Sequence, residues 1–310
     1  MADKKRSIAN RRLLAVLAAI ALFIFISFLP RCMGRADWRE LAHPAAVSPP
    51  EQIRVHFIDV GQGDSILIQA QGEAMLIDGG ERGQEDTVLR YLRGENIREL
   101  RYVVATHPDS DHIGGLTYGI LEALPVAEII APHTPQTELR ISSTYKVFLE
   151  LVTKMKQEGT RATAAEPGAV FALGEASFII LGPTAASAKS NNNSVAFLLD
   201  YRDFELLLTG DAETEEETAL VARWGAALDC DLMKAGHHGS RTSNTTALLE
   251  LATPEAVAIS CGAGNRYGHP HKDVLDRLAA MQIDVYRTDL EKEPLVFASD
   301  GMRFWREAAA

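Results

Sequence analysis

The chain has 310 residues, 46% of them hydrophobic and 24% charged, which is too apolar for a disordered protein and enough to fill one large core or two small ones. A net charge of −11 argues against a broad nucleic-acid footprint, although a local basic groove remains compatible with it. The three cysteines, Cys32, Cys230 and Cys261, stand far apart without CxxC or CxH spacing, so neither a disulfide scaffold nor a zinc–thiolate site is indicated.

The first twelve residues, MADKKRSIANRR, carry five Lys/Arg against one Asp, a net +4 that leaves −15 on the remainder. They precede LLAVLAAIALFIFISFL, residues 13 to 29, an uncharged apolar run that reads as either a signal peptide or a short membrane anchor. We read it as an anchor, because it exceeds a usual signal core and no clean small-x-small cleavage pattern follows. The basic residues before it should stay in the cytoplasm, which puts the bulk of the chain on the other side of the membrane. Residues 1–36 are therefore expected to form a basic stub with a single anchor, 37–52 (DWRELAHPAAVSPPEQ) a linker, and 53–310 one folded domain.

From residue 53 the pattern changes to short strands divided by turns. IRVHFIDV, SILIQAQ and EAMLIDGG read as three strands, with GQGD and QG as turns. TVLRYLRGENI reads as a helix, and RYVVAT as a buried strand. EIIAP follows as a strand, TYKVFLELVTKMKQEG as a helix, ASFIILGP and VAFLLDYRDFELLLTGD as strands, and ETEEETALVARWG as a helix. DLMKAG, AVAIS, IDVYRTD and LVFAS are strands around a last helix at DVLDRLAAM. Strands alternate with helices and the polar clusters fall at strand ends, so an α/β arrangement with a site on the loops at one edge is expected.

The densest cluster is THPDSDHIGG, residues 106 to 115, where His107, Asp109, Asp111 and His112 occupy six positions. Asp residues are common in turns, and a DH pair followed by GG could simply cap a helix. Four potential ligands in six positions exceed what a cap needs. Carboxylates and neutral imidazoles together suit Zn²⁺, Mn²⁺ or Fe²⁺, and a pair of neighbouring metals requires a bridging carboxylate as well. Further candidates stand at other strand ends: Asp78 in LIDGG, Asp211 in LLLTGD, and His237 with His238 in LMKAGHHGS.

The ordered set LIDGG, HPDSDHIGG, LTGD and HHGS resembles the metallo-β-lactamase fold superfamily. More narrowly, DVGQGDSILI, HPDSDHIGG, NNNSV, LTGDAE, KAGHHGS and NRYGHPH resemble the C-terminal hydrolase domain of the ComEC family of DNA-uptake proteins, from about residue 53 to the end. The resemblance implies an αββα sandwich with two divalent metal ions at one edge of its sheets. It puts His107 and Asp109 at the first metal, Asp111 and His112 at the second, Asp211 as the bridge and His237 as the closing ligand. Asp78 would support the loop without binding metal. Two departures stand out: Asp109 replaces the superfamily's usual His, and its middle His has no counterpart, NNNSV (residues 191–195) lying near the expected place. A harder, more anionic first position favours Mn²⁺ over Zn²⁺.

The implied chemistry is hydrolysis of a phosphodiester, single-stranded DNA among the candidates, by a water that the metals activate. Asp111 would orient or deprotonate that water, and His238, His269 or His271 would protonate the leaving group. Asn193, Ser194, Lys234 and His271 could hold phosphate oxygens, each against the plainer reading of a structural or solvent-exposed residue. The chain lacks the many membrane spans of a DNA channel, so a smaller phosphodiester is an equal fit. Two other classes stay open: a lactonase or β-lactamase type of hydrolase, and a non-catalytic accessory of DNA uptake. Oligomeric state is not encoded in any motif.

Overall fold

The computed structural model describes residues 52–132 and 142–308. The apolar run at 13–29, the stub and nearly all of the 37–52 linker lie outside the described residues, and among those residues no helix is long and apolar enough to cross a membrane.

Fifteen strands form two sheets among the described residues. In chain order they are β1 (Ile53–Phe57), β2 (Ile66–Ala70), β3 (Glu73–Ile77), β4 (Leu100–Val104), β5 (Val126–Ala131), β6 (Arg161–Ala164), β7 (Val170–Leu173) and β8 (Ala176–Gly182). Then come β9 (Ala196–Tyr201), β10 (Phe204–Leu208), β11 (Leu232–Lys234), β12 (Ala256–Ile259), β13 (Asp284–Arg287), β14 (Leu295–Ser299) and β15 (Phe304–Arg306). The first sheet runs β15-β14-β1-β2-β3-β4-β5-β6 and the second β13-β12-β11-β10-β9-β8-β7.

A central core joins the facing sides of the sheets: Val55, Phe57, Ile68, Ile77 and Val104 from one meet Phe178, Phe197, Leu199, Leu206 and Leu208 from the other. The outer side of the first sheet is covered by α1 (Glu85–Gly94), α2 (Ser110–Gly115) and α3 (Ser143–Gln157), through Val88, Leu92, Ile113, Phe148 and Leu151. The second sheet is covered by α4 (Thr214–Trp224), α5 (Thr246–Ala252) and α6 (Lys272–Ala280), through Leu220, Leu248, Leu249, Val274 and Leu278. The result is the expected αββα sandwich, and covering both faces explains why β9 and β10 are apolar runs rather than alternating ones.

Local chemistry fixes the helices. Ser142 caps α3 by accepting from Tyr145 N at 3.1 Å, and Tyr145, Phe148, Leu151 and Met155 then recur at helical spacing on its buried face. Beyond α2 the chain continues through a π turn, Leu116–Ile120. Five elements, α2, β6, β7, α5 and β15, are not legible in the sequence because each is short and lacks a sustained apolar period.

Strands β3, β4, β5 and β6 are mutually parallel, as are β10, β11, β12 and β13. Their carboxyl ends carry every polar cluster singled out above except the 191–195 segment and the GQGD turn after β1, and such ends are where α/β sheets assemble ligand sites. The LIDGG turn after β3 packs directly on α2: Gly79 N donates to His112 O at 2.8 Å and Gly115 N to Gly80 O at 2.9 Å. A Cβ on Gly115 would lie 2.0 Å from Gly79 O, so only glycine permits this approach.

Candidate metal centre

Asp211, three residues past β10, is the hub. Its Oδ2 lies 3.3 Å from His112 Nε2, 3.4 Å from His238 Nε2, 3.7 Å from His237 Nε2 and 3.9 Å from His107 Nε2. The Asp211 N–H donates to Ser194 Oγ at 2.9 Å, which fixes the turn that presents the carboxylate.

The imidazoles are oriented from behind. Thr106 Oγ1 donates to Asp78 Oδ2 at 2.6 Å and lies 3.0 Å from His107 Nδ1, so that nitrogen carries the proton and Nε2 faces the hub. Asp78 Oδ2 also accepts from His112 Nδ1 at 2.7 Å, and Asp78 Oδ1 from the Thr106 N–H at 2.8 Å. His238 Nδ1 donates to the Ser260 carbonyl at 3.0 Å, which turns Nε2 toward Asp211 and to 3.6 Å from Asp111 Oδ2. A carboxylate behind His112, a carbonyl behind His238 and a carboxylate-bound hydroxyl behind His107 form the arrangement that fixes a metal-binding tautomer.

Four groups of three residues bring ligand atoms close enough to share an ion: His107, His112 and Asp211; Asp111, His112 and His238; Asp64, Asp211 and His238; Asp64, Asp78 and His112. Asp64 is the residue that sequence reasoning missed. It lies in the GQGD turn before β2, and its carboxylate sits 2.7 Å from Lys234 Nζ, 3.4 Å from His238 Nδ1 and 3.8 Å from His112 Nδ1. GQGD reads as a turn and, within DVGQGDSILI, as part of the family resemblance, with no role for its Asp; the unused signal is a carboxylate placed between a glycine-rich turn and a largely buried strand.

The electrostatics follow from crowding carboxylates in a dry pocket. Burial pushes Asp211 up, but the His238 and His112 cations prevail and hold it well below the usual carboxylate range. Burial likewise opposes protonation of His112 and His238, yet Asp211 with Asp78, and Asp211 with Asp64, hold those imidazoles well above the ordinary value. Asp111, raised by burial, is brought down to about 2 by its hydrogen bond to His238 and the charge on His112. His107 is lowered by burial and then by the neighbouring His112 cation, so it offers a free Nε2 lone pair. That Nε2, Asp211 Oδ1 and Asp64 Oδ1 are buried without hydrogen-bond partners. Unpartnered acceptors in a carboxylate-rich pocket that already draws positive charge onto two imidazoles fit divalent cations.

Several expected residues stand elsewhere than the sequence suggested. His237, expected as the closing ligand, is the less buried of the pair and directs Nδ1 toward Thr242 and Glu213, whereas His238, expected as a proton donor, turns into the cluster. The cause is a left-handed backbone at both residues (φ 50 and 54), which places their side chains in an order that their adjacency cannot reveal. Asp109 lies at the rim, its side chain 43% exposed and 3.9 Å from His107 Nε2. Asn193 is fully buried, its amide bonded to Ser187 and Lys189 backbone, and Ser194 Oγ is occupied by Asp211 N, so both shape the site instead of facing a phosphate. Lys234 is buried on Asp64 and not presented to solvent. His269, depressed to about 4 by burial and the nearby His237 and His238, packs over both rings, at 5.4 and 6.1 Å between centroids. His271 lies behind it, Nδ1 accepting from Arg241 N at 3.1 Å.

Comparison with known proteins agrees with this architecture. The chain is 30% identical over 285 residues to Competence protein ComA of Neisseria gonorrhoeae, covering 89% of this chain and 37% of that protein. It is 29% identical over 260 residues to ComE operon protein 3 of Bacillus subtilis, covering 76% and 32%, and 32% identical over 231 residues to Recombination protein 2 of Haemophilus influenzae, covering 73% and 26%. The chain thus spans roughly a third of the length of these relatives, all competence proteins of the ComEC family. Among solved structures, the metallo-beta-lactamase fold protein YhfI from Bacillus subtilis superposes with a TM-score of 0.54 at 13% identity, over 80% of this chain and 100% of that one. The Metallo-beta-lactamase superfamily pattern matches residues 58–263, a span that takes in Asp64, the whole 106–115 loop, Asp211 and the histidine pair, and the chain belongs to that superfamily.

Proposed function

We propose that this protein is a metal-dependent phosphodiesterase that cleaves nucleic acid, single-stranded DNA foremost, using two divalent ions at the Asp211 hub. The observation that carries the reading is the convergence of Asp64, Asp111, Asp211, His107, His112 and His238 on one buried pocket with three unpartnered acceptor atoms. His107 and Asp211, with Asp109 at the rim, would hold one ion; Asp111, His112, His238 and the shared Asp211 would hold the other. Bound there, divalent ions supply an activated water and neutralise the charge that develops on a phosphoryl group.

The chain's own residues do the rest. Asp78 and Ser260 hold the imidazoles, Ser194 holds Asp211, and Lys234 offsets the charge of Asp64. Asp111, partly open to solvent and anionic, is placed to orient the attacking water. His269 packs over the cluster with a buried, unpartnered Nδ1 and is the group that donates a hydrogen bond to the leaving oxygen. The names of the relatives, competence and recombination proteins, support a nucleic-acid substrate. The basic stub and apolar run at the start support an anchored domain outside the cytoplasm.

The test is a panel of bis-p-nitrophenyl phosphate, single- and double-stranded DNA and nitrocefin, with metal-stripped protein given Mn²⁺ or Zn²⁺ and Asp111→Ala as control. Phosphodiester hydrolysis restored more strongly by Mn²⁺ than by Zn²⁺ is expected. Turnover of nitrocefin alone would refute the reading.

A further inference from the structure

A ladder of rings leads out of the metal centre. His112 and His238 lie 5.2 Å apart between centroids, His238 and His269 6.1 Å at an interplanar angle of 30°, and His269 and Tyr267 5.6 Å at 20°. The inner members are buried; the last is 48% exposed, one of the few large apolar side chains so presented among the described residues. Arg266 carries the ladder one step further, its guanidinium carbon 4.8 Å from the Tyr267 ring centre and its Nη2 donating to Tyr267 Oη at 2.6 Å. Tyr267 lies against His269 and His269 against His238, so this exposed end of the ladder stands on the side of the pocket that the histidine turn forms. Arg241, from the turn after His238, is held against the same loop by its bond to His271.

The loop is built to hold that geometry. Asn265 Oδ1 accepts from Tyr267 N at 3.2 Å and His269 N at 3.0 Å, while its Nδ2 donates to His269 O at 2.6 Å and Gly262 O at 2.9 Å. His271 N donates to Gly239 O at 2.9 Å, and a Cβ on Gly239 would lie 2.6 Å from Pro270 Cβ, so the loop is seated on the histidine turn itself. A fixed, half-exposed aromatic ring with a guanidinium over it, at the rim of a phosphodiester site in an acidic chain, is the composition of a base-stacking platform, since both the phenol ring and the guanidinium plane can stack a base.

We propose that Tyr267, flanked by Arg266, stacks an unpaired nucleobase next to the scissile phosphate and thereby selects single-stranded over duplex substrate. This deepens the phosphodiesterase reading and rests on it. A base held in a duplex has both faces covered by its neighbours, whereas a single strand can turn one face onto the phenol ring.

The test compares full-length protein with Tyr267→Ala and Tyr267→Phe. Fluorescence anisotropy in EDTA measures binding of a labelled oligothymidylate, an oligouridylate and an abasic deoxyribose strand of equal length, and cleavage of the same strands is followed after metal is restored. The native chain is expected to prefer the base-bearing strands over the abasic one by roughly 5- to 150-fold, the worth of one stacked base. Tyr267→Ala should bring that ratio close to one, Tyr267→Phe should keep it, and the oligouridylate arm reads whether ribose is accepted. An unchanged ratio in Tyr267→Ala, or no binding of any strand, overturns the proposal. A ratio that collapses as expected while no strand is ever cleaved counts instead against the hydrolytic reading.

Discussion

Lys234 Nζ and Asp64 Oδ2 meet at 2.7 Å with side chains only 1% and 2% exposed, a buried ion pair at the candidate metal centre. Burial disfavours both charges, yet each holds the other ionised. Removing one partner leaves the other stranded in a dry environment, at a cost of about 3–5 kcal/mol, whereas replacing both is close to neutral. Lys234→Ala should therefore lower the urea-unfolding free energy of metal-free protein by that amount, and Asp64→Asn combined with Lys234→Met should recover most of it. Equal destabilisation in the single and double variants would show that the pair contributes nothing specific.

The neighbouring histidines are expected to separate cleanly. His238 turns Nε2 into the cluster, while His237 lies at its edge. His238→Ala should reduce bound metal from two equivalents to one or fewer, measured by elemental analysis after dialysis. His237→Ala should keep both.

Asp78 touches His112, Thr106 and no solvent. Asp78→Asn keeps its size but loses the charge behind His112, and partners of this kind are worth about 10–100-fold in metal affinity or activity. A competition titration with a chromophoric chelator should record a loss in that range, with the circular dichroism spectrum unchanged.

Acid sensitivity has a source remote from the centre. His56 on β1 is held at about 3 by burial and then by the charge of Arg54, with Nδ1 bonded to Tyr91 Oη at 2.7 Å. The unfolded chain binds this proton near pH 6.5, so between roughly pH 6.5 and 3 it carries one proton more than the folded chain, and stability falls as pH falls by about 1.4 kcal/mol per unit. Above pH 6.5 the contribution is fully present. His56→Gln should flatten the fall in urea midpoint across that window relative to the native chain; an identical slope would assign the acid response to other groups.

The alternation of strands and helices was legible because the strands are apolar runs ended by turn chemistry with the ligand-rich turns at their ends, while the sandwich itself entered only through the family resemblance. Asp211 and the 106–115 loop were visible for the same reason. Asp64 was hidden since an Asp after GQG is ordinary turn chemistry, and only its approach to Lys234 reveals it. Asn193 and Ser194 looked like phosphate contacts because hydrogen-bond capacity is readable in a sequence, whereas its direction is not: both point into the protein. The order of His237 and His238 depended on two φ values that no spacing rule specifies.

Those two positive φ angles also set what evolution under heat would do to the molecule. Each left-handed residue that is not glycine costs on the order of 1–2 kcal/mol, and the turn is retained by Asn244, which bonds both the Gly236 N–H and carbonyl, itself secured by Glu217. In a library randomised at both positions, survivors ranked by melting temperature should drift to glycine at each, while survivors ranked by turnover should tolerate glycine only at 237. Thermal hardiness and chemistry are thus in conflict at a single Cα, that of His238.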